Sequence, residues 1–505
     1  MSIQTTDTGN KGPMTPHHAA IHDPAIALEG GNYYIFGTHR HFAISHDLIN
    51  WEGLDCNITR DYERLFRDVW QSWPKQPGNP DLKGNMWAPD LIWNPVMHKW
   101  CMYMSVNGDH YRSLIVLLTA DHLNGHWNLV GPVVYSGFDQ ETAEATDVPR
   151  VLGPEPDLNR YRSLKDTRIN AIDAGVGFDE EGRLWMNFGS WFGGIWLLEL
   201  DPSTGLRRYD RSYPTVADES DAYYGYKLAG GHWVSGEGSY LLHQGGWWYL
   251  FLSNGCLNRT GGYQIRLFRS KKINGPYLDQ AGNPAIAAGD LSAVEQDHNW
   301  TGEKGIRLLS TCRWPAGPSE DADIEVAQGH NSAFRDNDGC LFMVYHTRFI
   351  NRGEDDYETR IRQLLPTSDG WLTAAPFEYQ GIRSHPGEGG PDQSELIGHW
   401  QVVIHRKSDY FTGDKTDDQG DYRGVNHAEE MTLTEQGTCI GPVGNRDLTD
   451  GTWSYDRETG GISLHLADST YLGTVTHLPD DRNHDIRICL SAIGSNQSIW
   501  AVRTA

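Results

Sequence analysis

Long hydrophobic runs are missing from this sequence. No stretch approaches the roughly 20 consecutive apolar residues of a membrane-spanning helix, so none is expected to cross a bilayer that way. Basic side chains are scarce beside acidic ones, 42 against 67. The formal charge of −25 argues against nucleic-acid phosphates or an anionic membrane as partners, while a neutral ligand suits it. Clustered cysteine is absent too. The seven cysteines form no CxxC pair, which argues against a zinc site, and their odd number leaves at least one thiol unpaired. Cys101 and Cys340 fall inside strand-like runs and read as buried free thiols. The opening MSIQTTDTGNKGPM lacks the charged-then-apolar order of a secretory signal, so either the protein stays inside the cell or a signal has been removed. Helical periodicity is nearly missing as well; ITRDYERLFRDVW is the one amphipathic stretch.

What is present is turn and aromatic. The 56 glycines, 19 tryptophans and 23 tyrosines fit an all-β protein, and exposed aromatics fit a sugar-binding one. A chain of 505 residues exceeds one ordinary core, so at least two domains are expected. Five segments share a pattern: HDPAIALEGGNYYIFGT, APDLIWNPVMHKWCMYMS, AIDAGVGFDEEGRLWMNFGS, GEGSYLLHQGGWWYLFLS and GHNSAFRDNDGCLFMVYH. Each opens on a polar residue, passes an apolar run, turns, and ends in an alternating aromatic-rich run, as a β-hairpin would. Further strand signals, as in AISHDLINWEGL, VLLTADHLNGHWNLVGPV and IRLFRSKKINGPYLD, predict a third and fourth strand per unit.

Five such units predict a five-bladed β-propeller over residues 15–385; a pair of β-sandwiches would not explain the shared phrase. The Pro/Gly-rich GIRSHPGEGGPDQSEL then reads as a linker. Short alternating strands from 395 to 505, opening on GHW and closing on SIWAVRT, resemble a small lipocalin-like β-barrel. The leading polar residues Asp23, Asp90, Asp173, Glu237 and Asn331 stand 67, 83, 64 and 94 residues apart. At the starts of inner strands they would converge on one end of the axial channel. Carboxylates crowded there raise one another's pKa, which suits a site needing one protonated and one ionised carboxyl. Taken singly, each would read as a turn cap or a residue at a strand's N-terminal end.

The phrases HDP (22–24), MWAPDLIWNP (86–95), NAID (170–173), FGSWFGGI (188–195) and SGEGSYLLHQGGWWYLFLS (235–253) resemble glycoside hydrolase family 43. Within it they are most similar to the endo-1,5-α-L-arabinanases, some of which carry a C-terminal β-barrel. The resemblance implies an inverting hydrolase acting on arabinan or arabino-oligosaccharides. It gives Asp23 as general base, Asp173 as the carboxylate that orients and tunes the acid, and Glu237 as general acid, whose pKa would have to be raised. An inverting site needs its two carboxyls about 6.5–9.5 Å apart, with a water between base and sugar. Glu237-Gly-Ser departs from the family's usual Glu-Gly-Pro without losing the carboxylate. The "WAPD" Asp90 reads as structural. His330, in AQGHNSAF, matches a histidine near a bound calcium completed by waters; a satisfied channel histidine, or one tuning Glu237 without a metal, is the other reading.

Trp87, Trp191 and Phe192 would stack on arabinose rings unless they pack the core, and Asn170 and Ser190 match polar subsite positions. The DNDG at 336–339 lacks the remaining ligand spacing of a calcium loop and reads as a hairpin turn. An exo-acting α-L-arabinofuranosidase or β-xylosidase on the same scaffold, and a non-catalytic carbohydrate-binding propeller, are the competing functions. A polymeric substrate favours an extracellular enzyme.

Overall fold

A computed structural model describes residues 17–72, 81–108, 111–163, 168–231, 236–287, 304–314, 324–385, 388–405, 424–443, 447–481 and 484–504. The fold is all-β, with a propeller-like arrangement of antiparallel sheets followed by a closed eight-stranded barrel. The helical stretch of the sequence forms three short helices, Asn57–Arg60, Tyr62–Leu65 and Arg67–Ser72.

Four of the propeller-like sheets stand free. They begin with the strands Ala25–Glu29, Met86–Asn94, Gly175–Phe178 and Glu325–Arg335, and the third of them has five strands instead of four. The strands Glu237–Gln244, Trp247–Asn254 and Gln264–Ser270 form a further antiparallel set. That set does not end as the sequence predicts. INGPYLD makes isolated bridges instead of a fourth strand, and the two-residue strand Ile306–Arg307 takes the place beside Gln264–Ser270. Ile306–Arg307 then pairs parallel with the barrel strand Gln497–Arg503, so this set and the barrel form one continuous twelve-stranded sheet. The five-bladed expectation therefore meets four separate sheets and a fifth set fused to the next domain.

The hairpins form because apolar residues alternate along them. Ile35, Met102, Met186, Leu250 and Val344 lie on second strands and are almost wholly buried between sheets. In the barrel, Gln497–Arg503 pairs with both Gly398–His405 and Ile486–Gly494, which closes the ring and leaves no free edge. Its own core is built on Trp400, Leu433, Leu464 and Leu490. Side chains fasten it to the last propeller sheet: Trp500 Nε1 and Ser491 Oγ donate to Ala374 O, at 2.8 and 2.7 Å.

The segment leading into the first strand is tied to the same last sheet. Thr359 N donates to Ala19 O at 2.8 Å, and Thr359 Oγ1 donates to Ile21 O at 3.1 Å. Ser332 Oγ donates to Pro24 O at 2.7 Å, which sets Asp23, two residues before the first strand, beside the strand that carries His330. All seven cysteines are free thiols.

Candidate functional site

A backbone irregularity recurs at the head of each inner strand. Asp23, Ala88, Asp173, Gly238 and His330 have φ of 54°, 35°, 58°, 57° and 48°. In three strands the residue sits in a bulge, where register shifts between Trp87 and Asp90, Glu237 and Tyr240, and Gly329 and Ser332. Left-handed geometry in a non-glycine residue costs on the order of 1–3 kcal/mol, more than the ~1 kcal/mol net of one hydrogen bond. Such strain persists where surrounding contacts impose it and where a bulge re-aims a side chain.

Here the contacts are visible. Each of the five N–H groups donates to a side chain of the preceding repeat: Asp23 N to His346 Nδ1 (3.2 Å), Ala88 N to Thr38 Oγ1 (2.8 Å), Asp173 N to Ser105 Oγ (3.0 Å), Gly238 N to Asp173 Oδ2 (3.2 Å) and His330 N to Ser253 Oγ (2.7 Å). These bonds run in a closed circle.

The circle corrects the alignment of polar residues expected from sequence. Asp23, Asp173 and His330 are equivalent. Glu237 precedes its left-handed residue by one position, Asn331 follows by one, and Asp90 by two. Asp90 turns instead to the next sheet, where its Oδ2 accepts from Val176 N at 2.7 Å. Burial raises its carboxyl to about 7 against the pull of that bond, a structural role as the sequence suggested. Asn331 is buried, and neither atom of its amide has a partner among the described residues.

Asp23 is 8% exposed and held by imidazoles. Its Oδ1 lies 2.8 Å from His22 Nδ1 and 3.0 Å from His330 Nδ1, while Thr38 Oγ1 donates to Oδ2 at 2.5 Å. Burial opposes its charge, but His22 and His330 prevail and hold the carboxyl well below its usual range. His330 shows the reciprocal effect: burial lowers it, Asp23 and Asp173 outweigh that, and it rises to about 9. His346 stacks on His22 with ring centres 3.8 Å apart. Burial first, then His22, pushes His346 well below the usual range, so it is neutral and its Nδ1 accepts from Asp23 N.

Asp173 is 4% exposed, and its carboxyl is raised by burial; Glu237 and Asp23 add to that and His330 opposes it. Glu237 is half-buried and accepts three hydrogen bonds: Tyr263 OH to Oε1 at 2.9 Å, and Ser190 Oγ and Trp191 Nε1 to Oε2, both at 3.1 Å. Tyr263 reaches it across Gly329, where a Cβ would stand 1.9 Å from the tyrosine ring.

The predicted sugar-contact residues divide. Ser190 and Trp191 hold Glu237. Asn170 is buried, and its Oδ1 accepts from Ser113 Oγ at 2.5 Å. Phe192 is 9% exposed and packs on Tyr111 with ring centres 4.6 Å apart. Trp87 is half-buried, its ring pinned by Nε1 donating to Gly84 O at 2.8 Å. Sequence reading missed His22, Thr38, Ser105, Tyr263 and His346; a signal was present for His22, inside the quoted HDP.

Two metal arrangements are possible here. Ligand atoms of His22, Asp23 and His346 lie within 4.8 Å of one another, a nitrogen-rich set better suited to a borderline cation than to calcium. His330 has Nδ1 on Asp23, which leaves Nε2 as its free ring nitrogen. In chemical terms the centre holds the Asp23 carboxylate ionised and favours a proton on Asp173.

Residues 157–372 match the profile of Glycosyl hydrolases family 43, and residues 376–501 match a C-terminal lipocalin-like domain. The extracellular endo-α-(1→5)-L-arabinanase of Thermotoga petrophila is 34% identical over 398 residues, covering 77% of this chain and 76% of that protein. The extracellular endo-α-(1→5)-L-arabinanase 2 of Bacillus subtilis is 31% identical, with 77% and 76% covered. The crystal structure of the Thermotoga petrophila endo-1,5-α-L-arabinanase superposes with a TM-score of 0.75 at 29% identity, over 97% of this chain and 100% of that one.

Proposed function

The chain belongs to glycosyl hydrolases family 43, and from that premise we propose that it is an inverting, endo-acting hydrolase of α-1,5-linked L-arabinofuranose chains. The observation that carries the reading is the grouping of three carboxyls, one held ionised by imidazoles, at the heads of the inner strands. Asp23 takes a proton from the attacking water. Glu237 gives one to the departing sugar oxygen. Asp173, whose carboxyl is coupled electrostatically to both, keeps a proton in the group and fixes Gly238, next to Glu237.

Inversion follows the family and fits water attack from the Asp23 side with protonation from the Glu237 side. The half-buried Trp87 and Trp191 rings are the stacking surfaces for arabinose, Asn170 is a polar neighbour of that subsite, and Phe192, buried against Tyr111, supports it from within the core. The sheet count is read as five blades over residues 15–385, with the fused set as the fourth; the closed circle of N–H contacts supports this. Residues 395–505 form the second domain. Both relatives are named extracellular, which supports action outside the cell, and among the described residues no helix is long and apolar enough to span a membrane.

Incubation with linear arabinan tests the endo reading. A ladder of arabino-oligosaccharides is expected early in the reaction. Arabinose as the sole early product would replace the proposal with an exo-acting arabinofuranosidase, and no product from any arabinan would leave a carbohydrate-binding propeller.

Calcium at this centre would be held by His330 Nε2 and water, with Nδ1 committed to Asp23, once the imidazole, raised to about 9, has given up its second proton to free that lone pair. Bound there, it would supply positive charge beside Asp23 and Asp173, the charge that a protonated His330 supplies alone. Elemental analysis of protein purified without added calcium is expected to find the ion in the wild type and to find it lost in His330→Ala. Equal content in both would remove His330 as the ligand.

A further inference from the structure

The turn Asp336-Asn-Asp-Gly-Cys340 takes no part in the reaction. It closes the hairpin between Glu325–Arg335 and Leu341–Phe349, six residues past His330, or about 20 Å along an extended strand. Asp338 folds back over it, with Cys340 N donating to Asp338 Oδ1 at 3.0 Å. The Cys340 side chain is fully buried, and its Sγ lies 3.2 Å from Nδ1 of His385.

His385 belongs to the segment leading into the barrel, and that segment is anchored beside it. Ser384 N donates to Gln363 Oε1 at 3.0 Å, and Gln363 Nε2 donates to Ser384 O. Ligand atoms of Asp338, Cys340 and His385 all lie within 4.8 Å of one another. A cavity of about 370 Å³, lined by Ser384, His385, Gly389, Asp456 and Thr459, adjoins the imidazole and leaves room for entry.

We propose that Asp338, Cys340 and His385 bind a borderline divalent transition cation, zinc in the first place, which clamps the last propeller sheet to the segment entering the C-terminal barrel. The donor set of sulfur, nitrogen and oxygen selects against calcium and magnesium. Tetrahedral zinc, at ~2.3 Å from sulfur and ~2.1 Å from nitrogen, sets those atoms about 3.6 Å apart, so the ring must retreat by only about 0.4 Å.

Charge also balances. Arg383 Nη1 contacts Asp336 Oδ2 at 2.6 Å and Asp338 Oδ2 at 2.5 Å, which leaves one net negative charge. The Cys340 thiol releases its proton to solvent on binding, making two negative charges for a dication to neutralise, and a water completes the four ligands. The cysteine spacing argued against zinc because the partner ligands come from 2 and 45 residues away, with no second cysteine.

The test is titration of the full-length, chelator-treated protein with cobalt(II), then zinc. One equivalent of cobalt is expected to produce a near-ultraviolet thiolate-to-cobalt charge-transfer band that zinc abolishes. Cys340→Ser should lose the band, His385→Ala and Asp338→Asn should each weaken binding by about tenfold or more, and His330→Ala should keep both. The wild-type Tm should rise with zinc and that of His385→Ala should not. Absence of the band in the folded wild type, or its persistence in Cys340→Ser, would overturn the proposal. Should Cys340→Ser fail to fold, unchanged cobalt affinity in His385→Ala would do so.

Discussion

Glu237→Gln is expected to lower kcat on linear arabinan by about a hundredfold to ten-thousandfold, the range for loss of a general acid. Most of that loss should return on an aryl arabino-oligosaccharide whose phenol leaves readily as an anion. A sugar alkoxide is a poor leaving group and needs a proton as the bond breaks, whereas an acidic phenol does not. Glutamine keeps the shape of the side chain. Its amide oxygen can still accept from two of the three donors, Tyr263, Ser190 and Trp191, that now hold the carboxylate. The Tm should therefore stay close to that of the wild type, and any rate loss reports chemistry. Parallel kinetics on the two substrates decide the matter: an equal loss on both would remove Glu237 as the proton donor.

Asp23, Asp173 and Glu237 were visible in the sequence because each opens a segment whose hairpin pattern repeats. The barrel strands were visible for the same reason, through alternation closing on a final SIWAVRT. Their exact equivalence was not visible. Asp90 and Asn331 were placed in one row with the three carboxylates, yet the bulges set them two and one residues beyond the left-handed position. A bulge shifts register without changing composition, so pattern alone does not locate it.

His346, Thr38, Ser105 and Tyr263 were hidden for another reason. They lie on or beside second and third strands, within ordinary apolar or polar alternation, and gain meaning only through contacts with residues distant in sequence. The fused sheet was hidden because its connecting strand, Ile306–Arg307, has two residues and pairs with Gln497, almost two hundred positions later. The stretch ITRDYERLFRDVW forms three helices of four to six residues in place of one amphipathic helix.

Asp23→Asn should lower kcat by about the same hundredfold to ten-thousandfold, but on both substrates. Water must be deprotonated as it attacks whatever group is leaving, so a better phenol cannot compensate for a missing base. The surroundings make the charge of Asp23 central: His22 and His330 hold it ionised against burial, and Thr38 donates to its second oxygen. An amide offers a single acceptor oxygen and no charge to those imidazoles. Asparagine also tolerates φ of 54° better than most residues, so the substitution tests the base without adding backbone strain, whereas alanine would confound the two. The contrast with Glu237 is the decisive feature. If Asp23→Asn recovers on the aryl substrate as Glu237→Gln does, Asp23 acts on the leaving group and the two roles must be exchanged. If it is impaired equally on both while folding at the wild-type Tm, the residue at the head of the first inner strand is the one that activates water.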